Sequence, residues 1–89
     1  MREPYLEVTF RRGRPIVAYL YLPRHPGDTS HRTLKIDPGM IVDFNEQGTP
    51  IGIEIVAPSI VTAADINRAL GQLGQPGIAN ADLAPLRAA

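Results

Sequence analysis

Two carboxylates, Asp43 and Glu54, are the side chains whose spacing could do chemistry, because they lie on the two arms of a predicted β-hairpin. In the register that we prefer below, both lie on the outer face of the hairpin, on a diagonal within reach of each other. Such a pair can perform acid–base chemistry or hold a cation. Lys35 or Arg32 on the adjoining strand would neutralise the pair instead, and this is the outcome that we expect. We therefore assign no catalytic residue, no cofactor and no metal ligand.

Three tyrosines lie on the same predicted outer face. A tyrosine ring is apolar while its hydroxyl is polar, and tyrosine-rich faces are common at protein interfaces. Gly52 has no side chain, so another group can approach the backbone there; that group would be Tyr19, Tyr21 or another subunit. We predict an interaction surface made of Tyr5, Tyr19, Tyr21, Asp43, Gly52 and Glu54.

Other reactive groups lack the spacing that their chemistry requires. His25 and His31 are the only histidines, they are not paired on one element as zinc ligands are, and cysteine is absent. Gly71, Gly74 and Gly77 follow a predicted helix, so they cannot present a helix N-terminus to a phosphate. The sequence therefore predicts that the protein is not an enzyme.

The charges are balanced over the whole chain but unevenly distributed along it. Residues 1–35 hold seven Lys and Arg against three Asp and Glu, whereas residues 36–89 hold two against six. Arg11, Arg12 and Arg14 lie on one predicted turn, where they could contact phosphates. Nucleic-acid binding through this turn is the alternative function, although the acids of the outer face would repel phosphate.

The strands that position these residues are predicted from alternation with period two. Residues 5–10 form a half-buried strand. Residues 16–22 are apolar on both faces, which indicates a central strand or an outer face covered by a partner. Residues 30–36 give a third, more polar strand. Two apolar runs within residues 38–56, joined by a short polar segment with a glycine, give the fourth and fifth strands as a hairpin.

The turn of this last hairpin gives two conflicting registers. A type I turn with Gly48 in the left-handed conformation makes a three-residue loop and pairs Asn45 with Thr49. Burial of the isoleucines on the side of the first arm's apolar residues needs a four-residue loop and places Asp43 opposite Gly52. A slip of one residue inverts every side chain of an arm. Burial at roughly 25 cal/mol per Å² outweighs a turn preference of about 1 kcal/mol, so we prefer the second register.

A change to helical spacing after residue 58 predicts one α-helix at about residues 63–73. Thr62 and Asp65 form a capping box, and Gly74 stands where a helix ends. The predicted fold class is α+β: a five-stranded, mainly antiparallel β-meander with one C-terminal α-helix packed on one face. Residues 1–89 form a single domain, with residues 5–57 as the sheet and residues 58–89 as the helix and tail. The predicted core contains Leu6, Val8, Phe10, Leu20, Val42, Phe44, Ile53, Ile55, Ile66 and Leu70.

Three segments together resemble domain-of-unknown-function family 2283 (DUF2283) of small bacterial proteins. They are Ala-Tyr-Leu-Tyr at residues 18–21, Val-Asp-Phe-Asn through glycine at residues 42–48, and Gly-Ile-Glu-Ile at residues 52–55. The resemblance covers about residues 5–57. Arg14-Pro15-Ile16-Val17 stands where Glu-Ala-Asp is common in the family, and the helical tail is longer. The resemblance implies a compact β-meander with no established activity, and gene neighbourhoods of the toxin–antitoxin kind.

These observations predict a protein–protein interaction module. One short helix covers only one face of a five-stranded sheet, so we expect a homodimer over the second face or along an edge. A co-expressed partner, of the toxin–antitoxin type, is also consistent with the resemblance. The first residues lack a signal-peptide profile, and the longest apolar run, residues 16–22, is too short to span a bilayer. We therefore expect a cytoplasmic protein without membrane contact.

Overall fold

The computed structural model of the protein describes residues 3–87. Within this range the chain forms one sheet of five strands, one α-helix and one 3₁₀ helix. The elements are β1 (Tyr5–Arg11), β2 (Arg14–Tyr21), β3 (Arg32–Ile36), β4 (Met40–Phe44), β5 (Pro50–Ile55), α1 (Ala63–Gln72) and the C-terminal 3₁₀ helix (Asn80–Arg87). No helix within residues 3–87 is long and apolar enough to cross a membrane.

The strand order across the sheet is β1-β2-β5-β4-β3, and every neighbouring pair is antiparallel. The predicted fold class, an α+β protein with a five-stranded antiparallel sheet, is confirmed. The predicted meander order is wrong, because β2 pairs with β5 and not with β3. Strands β3, β4 and β5 follow one another as hairpins. The β1–β2 hairpin then joins β5 through β2, so the loop between β2 and β3 crosses from the middle of the sheet to its far edge.

The first hairpin closes with the two-residue turn Arg12-Gly13. Both residues have positive φ, 53° and 77°, which is the type I′ geometry whose twist matches that of the flanking strands. Arg11 and Arg14 therefore lie on the strands and face each other. The three predicted turn arginines surround the tip of this hairpin.

The β4–β5 hairpin contains both of the registers predicted above, the three-residue turn and the pairing of Asp43 with Gly52. At the turn, Gly48 has a φ of 82°, and the Asn45 amide donates to the Thr49 carbonyl at 2.9 Å. Along the arms, Asp43 lies opposite Gly52, as the burial argument predicted. A β-bulge between these regions accommodates Ile51 as the extra residue, so the two preferences are satisfied at different places.

Helix α1 begins and ends as predicted to within one residue. The Thr62 hydroxyl accepts from the Asp65 amide, and the Asp65 carboxylate accepts from the Thr62 amide, which is a complete capping box. At the other end the Gln75 amide donates to the Leu70 carbonyl at 2.8 Å, and Gly74 has a φ of 71°. This pattern is the Schellman motif, which satisfies the last carbonyls of the helix.

The core lies between the sheet and the two helices. It contains the predicted residues of β2, β4, β5 and α1, with Leu6 and Val8 packed at its margin. Leu83 and Leu86 of the 3₁₀ helix extend it. The prediction that Phe10 is buried is wrong, because this side chain is 45% exposed. Strand β2 pairs with β5 only over residues 18–21, so the tip of the first hairpin, with Phe10, extends beyond the covered part of the sheet.

Candidate interaction face

We use the name outer face for the side of the sheet opposite α1. Successive strands alternate their side chains between the two sides, and the pairings define two rows that cross the outer face from β1 to β3. The first row is Tyr5, Tyr21, Gly52, Asp43 and Thr33; the second is Glu7, Tyr19, Glu54, Ile41 and Lys35. All six residues of the predicted interaction surface therefore share this face.

Tyr19 crosses β5 to reach β4. Its hydroxyl donates to Asp43 Oδ2 at 2.7 Å, and its ring lies directly over Gly52. A Cβ on Gly52 would overlap the Tyr19 hydroxyl and ring carbons, so only glycine permits this path. The predicted close approach at Gly52 is thus made by Tyr19.

Asp43 is satisfied by hydroxyl groups. Ser30 Oγ donates to Asp43 Oδ1 at 2.8 Å, while Tyr19 occupies the other oxygen. The expectation that Lys35 or Arg32 would neutralise this carboxylate is wrong. Arg32 lies on the opposite side of the sheet, where its guanidinium carbon is 4.5 Å from the Phe44 ring centroid. The one ion pair within residues 3–87 joins Arg68 to Asp65.

Arg24, from the loop between β2 and β3, reaches the tyrosines of the outer face. Its Nη2 donates to the Tyr19 hydroxyl at 3.4 Å and to the carbonyl oxygen of the bulged Ile51. Its guanidinium carbon lies 5.3 Å from the Tyr21 ring centroid, within the range of a cation–π contact. Sequence reasoning missed Arg24, since no strand period applies to a loop and the bulge that exposes the Ile51 carbonyl was not foreseen.

The three tyrosine rings form a contiguous cluster. Tyr5 stacks on Tyr21 with ring centroids 4.5 Å apart and planes 14° apart. Tyr19 meets Tyr21 edge to face at 4.7 Å and 64°. The Tyr21 hydroxyl donates to Glu7 Oε1 at 3.3 Å. Each ring is therefore held by a second ring and, for Tyr19 and Tyr21, by a polar contact, so the cluster is a preorganised aromatic surface.

The environment of Tyr19 keeps its hydroxyl protonated. Burial, followed by the hydrogen bond to Asp43, raises the pKa of Tyr19 from 10.0 to about 12, and Arg24 offsets part of this effect. A tyrosine that acts as a base or nucleophile needs the opposite shift. What this group can do at neutral pH is donate a hydrogen bond.

Glu54 shares the outer face with Asp43 on the predicted diagonal, but the two carboxylates differ in surroundings. Glu54 lies opposite Tyr19 on one side and Ile41 on the other, whereas Asp43 is engaged by two hydroxyls.

In the part of the chain that the structure describes, no three His, Cys, Asp or Glu side chains form a group that could hold a metal ion.

The second predicted site, the arginine turn, lies at the free end of the first hairpin. Arg11, Arg12 and Arg14 line an open groove together with Ile16, whose side chain is 47% exposed. The turn is therefore a cationic surface with one exposed apolar side chain, separate from the tyrosine cluster.

Residues 17–59 match the model of a family described as protein of unknown function, DUF2283. This match confirms the resemblance to DUF2283 over these residues. No curated protein and no solved structure matches the chain. The DUF2283 segment runs from β2 to just beyond β5, so it contains Tyr19, Gly52, Asp43 and Arg24. Strand β1, with Tyr5 and Glu7, lies outside the match, so the match is shorter than the predicted resemblance over about residues 5–57.

Proposed function

We propose that this protein is a protein–protein interaction module and not an enzyme, and that it binds its partner through the outer face. The observation that carries this proposal is the tyrosine cluster, held by Asp43 and Arg24 on a sheet face that neither helix covers. Preordered aromatic rings lose little conformational entropy when they are buried against another surface. Tyrosine and arginine are also the residue types that most often dominate binding energy.

The charges around the cluster describe the partner that would fit it. Glu7 and Glu54 flank the rings on the second row, and Lys35 lies at the far end of that row. A complementary surface has an apolar centre with basic side chains placed against the two glutamates. A co-expressed protein, such as the other member of a toxin–antitoxin pair, is the class of partner that we propose. The cytoplasm stays the predicted location of this interaction.

Affinity capture with single substitutions tests the proposal. The tagged chain expressed at native level in its own cells should retain one discrete stoichiometric partner. Tyr21→Ala removes the ring that contacts both other tyrosines and should weaken the purified complex by about tenfold or more. Ile60→Ser, at a side chain that is 60% exposed outside the sheet, is the matched control and should bind like the unmodified protein. Equal retention by Tyr21→Ala, at an unchanged melting temperature, would refute the use of this face.

A second candidate function is nucleic-acid binding at the arginine turn. The groove lined by Arg11, Arg12, Arg14 and Ile16 supports it, because three of its four lining residues are arginines. Binding of this kind must weaken steeply with added salt, and a combined Arg11→Gln, Arg12→Gln and Arg14→Gln variant should reduce the salt slope. A mobility-shift titration with DNA and RNA measures both quantities. No shift at low salt would eliminate this candidate.

A further inference from the structure

The two edges of the sheet differ in the charges that they present. An edge strand exposes unpaired backbone donors and acceptors, so natural edges are either protected or used for pairing. Edge strand β3 carries Arg32 and Lys35 but no acid. A second copy of β3 laid antiparallel against it would bring cations together without a counter-charge, so β3 is a protected edge.

Edge strand β1 is self-complementary. Glu7 and Arg11 lie on the outer side of the same strand, two positions on either side of Thr9. An antiparallel copy of β1 with its two-fold axis at Thr9 places Glu7 opposite Arg11 of the copy, and the reverse pair follows by symmetry. Neither residue has an ionic partner within residues 3–87 of the single chain, where the one ion pair joins Arg68 to Asp65.

The same register covers apolar surface on the other side of β1. Val8 and Phe10 flank Thr9 on that side, so each Phe10 comes to lie opposite Val8 of the copy. Phe10 is the predicted core residue that the single chain leaves 45% exposed. A two-fold axis at Val8 would place Glu7 opposite Thr9 and form no ion pair. Charge and burial therefore select the same register.

We infer that two copies of this chain pair through β1, antiparallel and centred on Thr9, so that the sheets of both copies form one continuous sheet. Two Glu7–Arg11 pairs and two Val8–Phe10 contacts specify the register. The pairing goes beyond the proposed function, because it uses the edge of β1. It engages Glu7, whereas the tyrosine cluster and Glu54 of each copy stay free for a partner.

A cysteine cross-link tests the pairing and its register. The chain has no cysteine, so Thr9→Cys introduces a unique thiol at the proposed axis. Directly opposed Cα atoms of an antiparallel pair lie about 4.5–5.5 Å apart, which is within the range that a disulfide spans. We expect mild oxidation to convert this variant into a covalent dimer. Thr33→Cys, on the opposite edge, is the matched control and should stay monomeric on denaturing gels. Failure of Thr9→Cys to cross-link, or equal cross-linking by Thr33→Cys, would overturn the inference.

Charge reversal supplies an independent readout in solution. Glu7→Arg or Arg11→Glu alone replaces attraction by repulsion at two symmetric positions, and each should weaken the dimer about tenfold in sedimentation equilibrium. The double variant exchanges the charges and should restore dimerisation. A double variant as weak as the single ones would refute the ion pairs. Asp43→Ala removes the acceptor of Tyr19 and Ser30 on the outer face, and neither partner lies on β1. It should leave the Thr9→Cys cross-linking yield unchanged, so the dimer and the partner surface are tested separately.

Discussion

Gly52 is the residue on which the geometry of the outer face depends. Its backbone is that of an ordinary strand, and its requirement for glycine comes from the Tyr19 side chain that passes over it. The hydrogen bond from Tyr19 to Asp43 exists because the intervening position has no Cβ. Glycine is a weak strand former, and the Tyr19 contact explains why it nevertheless occupies this position in a central strand.

Gly52→Ala should therefore destabilise the protein by about 2 kcal/mol, since the added methyl displaces Tyr19 from Asp43. Gly71→Ala is the matched control, because a Cβ there meets nothing within 4 Å and the position is inside α1. It should stabilise the protein by roughly 0.5–1 kcal/mol. Urea unfolding measures both changes. In a Tyr19→Ala background Gly52→Ala should cost almost nothing, and an undiminished cost there would contradict the proposed clash.

The raised pKa of Tyr19 makes the free energy of unfolding depend on pH. The folded protein holds this proton more tightly than the unfolded chain, because the pKa is about 12 against 10.0. The resulting stabilisation is fully present below pH 10 and is lost as the pH rises towards 12. Chemical denaturation between pH 9 and 12 should show this decline, and Tyr19→Phe should flatten it. An identical slope in both proteins would exclude Tyr19 as its source.

At the scale of elements, the β4–β5 hairpin depends on Gly48 for its turn and on the bulge for its register. Gly48 has a φ of 82° and open space around it, so a substitution there tests backbone conformation alone. Gly48→Ala should cost about 1 kcal/mol, whereas Gly48→Asn should cost less, because asparagine tolerates the left-handed region. Thermal unfolding of the two variants measures the difference. Equal destabilisation by both variants would indicate that the added side chain, and not the positive φ, causes the loss of stability.

The elements that could be predicted from the sequence are those with local signals. A capping box and a glycine predict both ends of helix α1, because these signals act within a few residues. The bulge at Ile51 could not be foreseen, since a period of two has no place for an inserted residue. Alternation predicts on which side of β1 the Phe10 side chain lies, but it does not predict whether a helix covers that part of the sheet. Arg24 depends on the path of a loop across the sheet, and that path is a property of the strand order.

At the scale of the whole molecule, the core extends beyond the DUF2283 segment. Leu83 of the 3₁₀ helix is 3% exposed and packs into the same cluster as the sheet residues. Leu83→Ala should lower the free energy of unfolding by about 3 kcal/mol through the cavity it creates. Leu34→Ala, at a side chain that is 48% exposed, is the control and should cost about 1 kcal/mol or less. If Leu83→Ala lowered the free energy of unfolding as little as Leu34→Ala does, the 3₁₀ helix would not be part of the core.

The strand order has a consequence for the way the sheet assembles and opens. Each hairpin closes over a short loop. The pairing of β2 with β5 joins residues 18–21 to residues 52–55, so it forms more slowly because a long stretch of chain separates the two strands. Tyr19 reaches from β2 across β5 to Asp43 on β4. Its hydrogen bond therefore links the β1–β2 hairpin to the part of the sheet formed by β3, β4 and β5. A partner seated over the tyrosines would bind only the closed arrangement and raise the free energy of opening. The amide protons along β2 and β5 would then exchange with solvent more slowly in the complex than in the free protein.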